Sequence, residues 1–363
     1  MVNRREFLKY TGTGVVSLAA VRSNANVSQT PSAHVGEELG PVMTGVEVRR
    51  PAGLTGRKAA LFIDDVIWIF RDIARQRPGS IFDQPLLKGL KDAHERYGLK
   101  VQLNLFYRTD FLYGTDEFTL AEMPDAYRSE WQAAKDWLRL SFHSLQESPD
   151  YPFVNAEYRD VAFVFDRIFG EVKRFAGEGV FTYAIVPHWL PVSKEGCRAF
   201  ADRGVKVISS TDGPRRAYGG DPFCLPYGHA KRVMQNRKPE TALYTRVSND
   251  IAITSSICAY NHLMADQARL TKGTFAVVYD RETRMGYKWF RHGPMLNLST
   301  MEQVKAETEA VLGSELIVFG DHEQYFYPFF YRYQPDYLDK IMLASRLVRE
   351  HGYMFTFIEE TVG

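Results

Sequence analysis

Five short apolar runs in this chain each stop at ionisable side chains, with amphipathic stretches between them. Lys58-Ala59-Ala60-Leu61-Phe62-Ile63 runs into Asp64-Asp65, Lys100 to Phe106 into Tyr107-Arg108, and Leu138 to Phe142 into His143. Phe181 to Val186 leads to Pro187-His188-Trp189, and Glu315 to Gly320 leads to Asp321-His322-Glu323. Runs of this length suit buried strands. The intervening stretches 84–97, 124–137, 156–175, 193–202, 300–312 and 335–351 suit helices. Strand and helix in alternation imply parallel strands joined by right-handed crossovers, as a barrel or a doubly wound sheet. Reactive groups in such folds gather at the C-terminal strand ends, so the five endings define one candidate site.

The length of 363 residues and a hydrophobic share of 45% support one large core. Basic and acidic residues number 45 and 44, which excludes the basic excess of a nucleic-acid binder. Aromatic residues make up 13% and suit stacking on sugar faces as well as core filling. Asn3-Arg4-Arg5-Glu6-Phe7-Leu8-Lys9, followed by a mildly apolar stretch, reads as a twin-arginine export signal over 1–25. The expected partner is the twin-arginine export machinery, and the expected location is periplasmic or secreted. The apolar part is too short for a stable membrane span. Residues 26–57 read as a linker or N-terminal arm, and 58–363 as the α/β domain, whose regularity breaks in an insertion of loops and hairpins over 211–297. Cys197, Cys224 and Cys258 lack the spacing of a structural zinc site, and a Cys224–Cys258 bridge stays open.

Two adjacent carboxylates at a strand end can divide the work of a metal-assisted hydrolase. Asp65 would hold a cation while Asp64 stays free for proton transfer. His143 and Glu147, four residues apart, would share one side of a helical turn, so Asp65, His143 and Glu147 form the candidate ligand set for a divalent metal ion, expected to be zinc. Asp321-His322-Glu323-Gln324-Tyr325 is the second dense patch, suited to proton transfer beside a sugar-stacking wall. Arg108, His188, Trp189, Glu323 and Tyr325 are the substrate-binding candidates, and the expected substrate is a carbohydrate. A glycoside hydrolase pairing Asp64 with Glu323 or Asp321 is an alternative, as is a glycan-binding protein without catalysis.

Asp64-Asp65 after an apolar strand, His143-Ser144 with a ligand-type side chain at 147, and a late His322 after a strand together resemble the polysaccharide deacetylases of the NodB homology type. The similarity runs over roughly 58–359. It implies a distorted (β/α)7 barrel, with Asp64 as general base, Asp65 and His143 as metal ligands and His322 as general acid. The reaction implied is removal of an acetyl group from a carbohydrate or cell-surface glycan. Two departures stand out. Glu147 occupies the place of the family's second metal-binding His, and Pro187-His188-Trp189 occupies that of its Arg-Pro motif, which leaves Arg71 or Arg108 to orient the base.

Overall fold

The computed structural model describes residues 46–49, 55–110, 117–147, 152–153, 156–188, 192, 194–209, 276–280, 285–289 and 291–361. Chain contacts divide the protein into Met1–Val42 and Met43–Gly363, and everything described lies in the second unit. The expected export signal, most of the arm, and the bulk of the 211–297 insertion fall outside the described residues. So do Trp189, Cys224 and Cys258.

In chain order the strands are β1 (Val46–Arg49), β2 (Lys58–Val66), β3 (Val101–Phe106), β4 (Leu138–Ser144), β5 (Ala184–Ile185), β6 (Val207–Ser209), β7 (Ala276–Asp280), β8 (Met285–Trp289), β9 (Arg291–Met295), β10 (Leu316–His322) and β11 (Met354–Phe355). The helices are α1 (Trp68–Gln76), α2 (Pro85–Tyr97), α3 (Arg128–Ala134), α4 (Tyr158–Phe175), α5 (Lys194–Asp202), α6 (Met301–Val311) and α7 (Tyr337–Glu350). Part of the stretch read as an arm is therefore strand: β1 pairs antiparallel with β7.

Strands β4-β3-β2-β10-β9 pair in parallel, with β11 also parallel to β2. A second sheet runs β1-β7-β8-β6-β5, parallel from β5 to β8. A single parallel bridge, Leu140 with Phe181, carries the ladder from β4 towards β5. The fold is thus α/β, with one parallel sheet and one mixed sheet in which β1–β7 and β7–β8 are antiparallel. Among the described residues no pairing closes the strands into a ring.

The strand alternation assigns the faces. Ala59, Leu61 and Ile63 of β2, with Val101, Leu103 and Leu105 of β3, pack into the large apolar cluster that includes the helices. Ala60 and Phe62 instead join Ala184, Val186, Val207, Leu316, Val318 and Ile358 in a small inner cluster. With a side-chain period of two, Asp64, Gln102, Asn104, Ser141 and His143 continue that inner face. All of them are buried. The inner face is therefore apolar at one end of the strands and polar at the other, and the polar end is the C-terminal one.

Helix α1 stands between the first apolar run and the helix expected at 84–97, in a segment where no helix is expected from the sequence. Its N-terminal flank, Ile67, supplies no side-chain cap. Both carboxylate oxygens of Glu323 cap it instead, Oε2 accepting from Ile67 N at 2.6 Å and Trp68 N at 2.9 Å, Oε1 from Ile69 N at 2.7 Å. A carboxylate at a helix N-terminus satisfies orphan donors and complements the helix dipole. This clamp ties the turn after β10 to the segment after β2, which brings two of the five strand endings together.

Candidate metal centre and its surroundings

A bulge puts Asp64 and Asp65 on the same side. Between β2 and β3 the register passes from Ile63–Leu103 to Val66–Leu105, so two residues of β2 oppose one of β3. Asp65 adopts φ 62°, the left-handed region that Asp tolerates better than most residues. In a regular strand the two carboxylates would diverge; here both approach His143. His143 is already on that side by strand alternation, and a second bulge, between Leu105–Phe142 and Phe106–Ser144, leaves it as the extra residue of β4.

Three potential ligand atoms converge. His143 Nε2 lies 3.1 Å from Asp65 Oδ1, His188 Nδ1 lies 3.4 Å from the same oxygen, and the two ring nitrogens are 3.0 Å apart. All three side chains are buried. The other nitrogen of each ring meets a backbone carbonyl: His143 Nδ1 donates to Val186 O at 2.5 Å, and His188 Nε2 to Glu147 O at 2.9 Å. Carbonyl oxygens only accept, so those nitrogens carry the hydrogens, and the facing nitrogens of neutral rings present lone pairs. Two lone pairs and a carboxylate oxygen at these distances repel unless a cation lies among them. Backbone carbonyls fixing the outer nitrogens are also what metal-binding histidines ordinarily have.

Electrostatics agree. When a ring proton takes the place of a cation, the result points the same way: burial pushes the Asp65 carboxyl up, but hydrogen bonds donated by His143 and His188 outweigh it and hold Asp65 well below the usual carboxylate range. Burial opposes charge on His143, yet Asp64 and Asp65 raise its pKa above the ordinary imidazole value. The pocket wants positive charge. Asp, His and His through one oxygen and two nitrogens fit a divalent ion of the zinc type.

Asp64 sits beside this cluster, its Oδ1 3.8 Å from His143 Nδ1. Asn104 Nδ2 donates to that oxygen at 2.6 Å, and Gln102 Nε2 fixes Asn104 by donating to its Oδ1 at 2.7 Å. Burial raises the Asp64 pKa, against the pull of His143 and His322. On the neighbouring strand His322 pairs in register with Asp64 and points Nε2 to within 3.9 Å of Asp65 Oδ2. Its Nδ1 donates to Asn297 Oδ1 at 3.1 Å, and its side chain is partly exposed, at 29%.

The structure thus gathers Asp64, Asp65, His143, His188 and His322. His188, expected to touch substrate, lies with the two ligand candidates, whereas Glu147 is not in the converging set. The helical turn expected to bring the Glu147 side chain round does not form: His143 is in β4 and 145–147 are bends. What Glu147 gives the cluster is its backbone carbonyl. Glu323, expected at the substrate, is fully buried with both oxygens occupied by α1. Tyr325 is also buried, packed edge-on against Phe330 at 4.9 Å. Exposed aromatic surface on that loop belongs to Phe329, Tyr331 and Tyr333. Arg108 is exposed and bonded to Gln146, and Arg71 pairs with Asp72, so the group that orients Asp64 is the amide of Asn104. Gln324, which sequence reasoning passed over, donates from Nε2 to Asp65 Oδ2 at 2.7 Å.

No protein-family model and no curated protein matches the chain. Among solved structures, the 4-α-glucanotransferase of Thermococcus litoralis is similar over 84% of this chain and 40% of that one, with 9% identity and TM-score 0.45. A Mycobacterium smegmatis protein named as a polysaccharide deacetylase is similar over 87% of this chain and 95% of its own, with 13% identity and TM-score 0.45. The carbohydrate deacetylase Agd3 is similar over 85% of this chain and 53% of its own, with 12% identity and TM-score 0.38. The chain therefore spans about half or less of the first and third. These likenesses are loose, and it is the geometry around Asp65, His143 and His188 that bears on function.

Proposed function

We propose that the protein is an exported, metal-dependent hydrolase that removes an acetyl group from a carbohydrate or cell-surface glycan. The observation that carries this reading is the convergence of Asp65 Oδ1, His143 Nε2 and His188 Nδ1, with both rings' outer nitrogens fixed by carbonyls and a further carboxylate, Asp64, alongside. The sequence resemblance to polysaccharide deacetylases supports it independently, and the twin-arginine pattern supports a periplasmic or secreted location.

Asp65, His143 and His188 would hold the ion, zinc being the best match to two imidazoles and a carboxylate. A divalent cation there would acidify a water and polarise the carbonyl of the acyl group. Asp64, kept in place by Asn104 and raised in pKa by burial, takes a proton from the attacking water. His322, held at Nδ1 by Asn297 and open to solvent on one side, presents Nε2 to give a proton to the departing amine or alcohol. Exposed Phe329, Tyr331 and Tyr333 supply faces on which sugar rings can stack.

A glycosidase would need a second carboxylate across the sugar from Asp64, and the two sequence candidates do not serve. Asp321 is fully buried and accepts from His322 N, and Glu323 caps α1. The test is metal analysis of the purified protein together with acetate release from N- and O-acetylated glycans. Bound metal near one equivalent and acetate release abolished in Asp64→Asn support the proposal; a metal-free protein, or reducing-sugar release without acetate, overturns it.

A further inference from the structure

Asp65 has two oxygens and they are put to different uses. Oδ1 faces His143 and His188, while Oδ2 accepts from the Gln324 amide at 2.7 Å. His322 Nε2 also approaches Oδ2, at 3.9 Å. We propose that Gln324 is a positioning residue that holds Asp65 as a one-oxygen ligand, setting how tightly, and in what coordination, the centre binds its metal. The proposal rests on the reading of Asp65, His143 and His188 as a metal centre.

Three observations support it. The amide is oriented by chemistry: a carboxylate only accepts, so Nε2, not Oε1, must face Asp65. Its backbone is anchored by the neighbouring residue, because Glu323 is clamped by three N–H groups of the segment that follows Asp65. The clamp therefore keeps the Gln324 backbone beside the segment that carries Asp65, within reach of its carboxylate. Finally, Gln324 is buried, and its Oε1 has no hydrogen-bond partner among the described residues. Leaving a buried acceptor unmatched is unfavourable, and a chain filling this space for packing alone would use Leu or Met. The amide is retained where its N–H end meets the carboxylate that faces the two imidazoles. Without it, Asp65 is free to rotate about Cβ–Cγ, to offer both oxygens to the ion or to turn Oδ2 towards His322.

The experiment compares wild-type protein with Gln324→Met, Gln324→Ala and Asp65→Asn. Zn²⁺ and Co²⁺ affinities are measured by chelator competition, the visible spectrum of the Co²⁺ form is recorded, and thermal melts of the metal-free proteins control for folding. Gln324→Met keeps length and volume, so it separates the hydrogen bond from the packing. The expected result is metal affinity about 10- to 100-fold weaker in both Gln324 variants, the range for loss of an outer hydrogen-bond partner, with a changed Co²⁺ spectrum and a metal-free melt within a few degrees of wild type for Met. Affinities within twofold of wild type and an unchanged spectrum in Gln324→Met, while Asp65→Asn abolishes binding, overturn the role of Gln324 and leave the metal centre standing. A wild-type protein that binds neither ion overturns both.

Discussion

His143 Nε2 and His188 Nδ1 face each other at 3.0 Å, each with its opposite nitrogen bonded to a backbone carbonyl. His188 reaches this position because the chain after β5 runs alongside the end of β4, where His188 N donates to His143 O at 3.1 Å. The two residues are 45 apart in sequence and share no motif. Their meeting is a product of strand adjacency.

The first prediction separates two candidates for the third ligand. His188→Ala removes a converging nitrogen, so metal affinity should fall by more than the about 10- to 100-fold typical of an outer partner. Glu147→Ala leaves the carbonyl that His188 uses, and affinity should drop far less. Isothermal titration of each metal-free variant with Zn²⁺ decides it; a larger loss in Glu147→Ala would return that side chain to the ligand set.

The second concerns pH. Asp64 acts as a base only when ionised; burial raises its pKa and a cation held by Asp65 would lower it, so activity should fall away with acid through the pKa that this balance sets. Asn104 donates to the charged form and pulls against burial. In Asn104→Leu the acid limb of kcat/KM should therefore move to higher pH, with kcat near neutrality reduced on the order of 10-fold. A limb that stays put, or moves to lower pH, contradicts the assignment of Asp64.

The third isolates the strained backbone. For a residue with a Cβ, the left-handed conformation at Asp65 is unfavourable by about 1–2 kcal/mol, a penalty that Asp and Asn escape in part. Asp65→Asn should lose metal binding, and its metal-free form is the reference for stability, because it lacks the carboxylate's charge but keeps the tolerance for this backbone. Asp65→Ala should lose metal binding and also about 1 kcal/mol of stability. Urea unfolding of the metal-free variants checks this, and equal stability of Asn and Ala would show that the bulge relaxes on substitution.

Most of the strand endings were legible because a buried strand that stops at a charge is a local pattern. The apolar runs of β2, β3, β4 and β10 announced themselves, and so did Asp64, Asp65, His143 and His322 at their ends. What stayed hidden depends on distant partners. Helix α1 is not among the helices expected from the sequence because its cap, Glu323, lies more than 250 residues away. For the same reason Glu323 looked like a substrate ligand. The bulges at Asp65 and His143 leave no mark on local hydrophobic period, and a one-residue bulge decides which side chains share a face. Glu147 satisfied a helical spacing in a segment that does not form a helix. Asn104 alternates with apolar neighbours in β3, a pattern that places it on the inner face but says nothing of Asp64 as its partner.

The fourth prediction concerns that distant cap. Glu323→Gln keeps the shape but replaces one accepting oxygen by an amide that faces a backbone N–H, so one donor at the start of α1 loses its partner. Folding stability should drop by about 1–3 kcal/mol, and metal affinity should fall with it because Gln324 moves with the turn. Urea unfolding and Zn²⁺ titration measure the two. A variant as stable as wild type would mean that α1 does not need this clamp.

The last prediction concerns the seam on which His188 depends. Between β4 and the chain entering β5 the backbone ladder thins to the Leu140–Phe181 bridge, Thr182 N donating to Leu140 O and His188 N donating to His143 O. Glu359, in the C-terminal turn Ile358–Thr361, staples this seam: its Oε2 accepts from Thr182 Oγ1 at 2.6 Å and Tyr183 N at 3.3 Å and lies 3.7 Å from Arg139 of β4. Next to it, Ile358 fills the inner apolar cluster. Hydrogen bonds to a mostly buried carboxylate contribute about 1.5–3 kcal/mol, whereas the more exposed Lys100–Glu360 pair, at 3.1 Å, contributes about 1 kcal/mol or less. Glu359→Ala should therefore destabilise clearly more than Lys100→Ala in urea unfolding. It should also weaken Zn²⁺ binding several-fold, because His188 is placed by the same seam. Loss of stability with unchanged metal affinity would show that the β4–β5 contact holds His188 without help from the C-terminal turn.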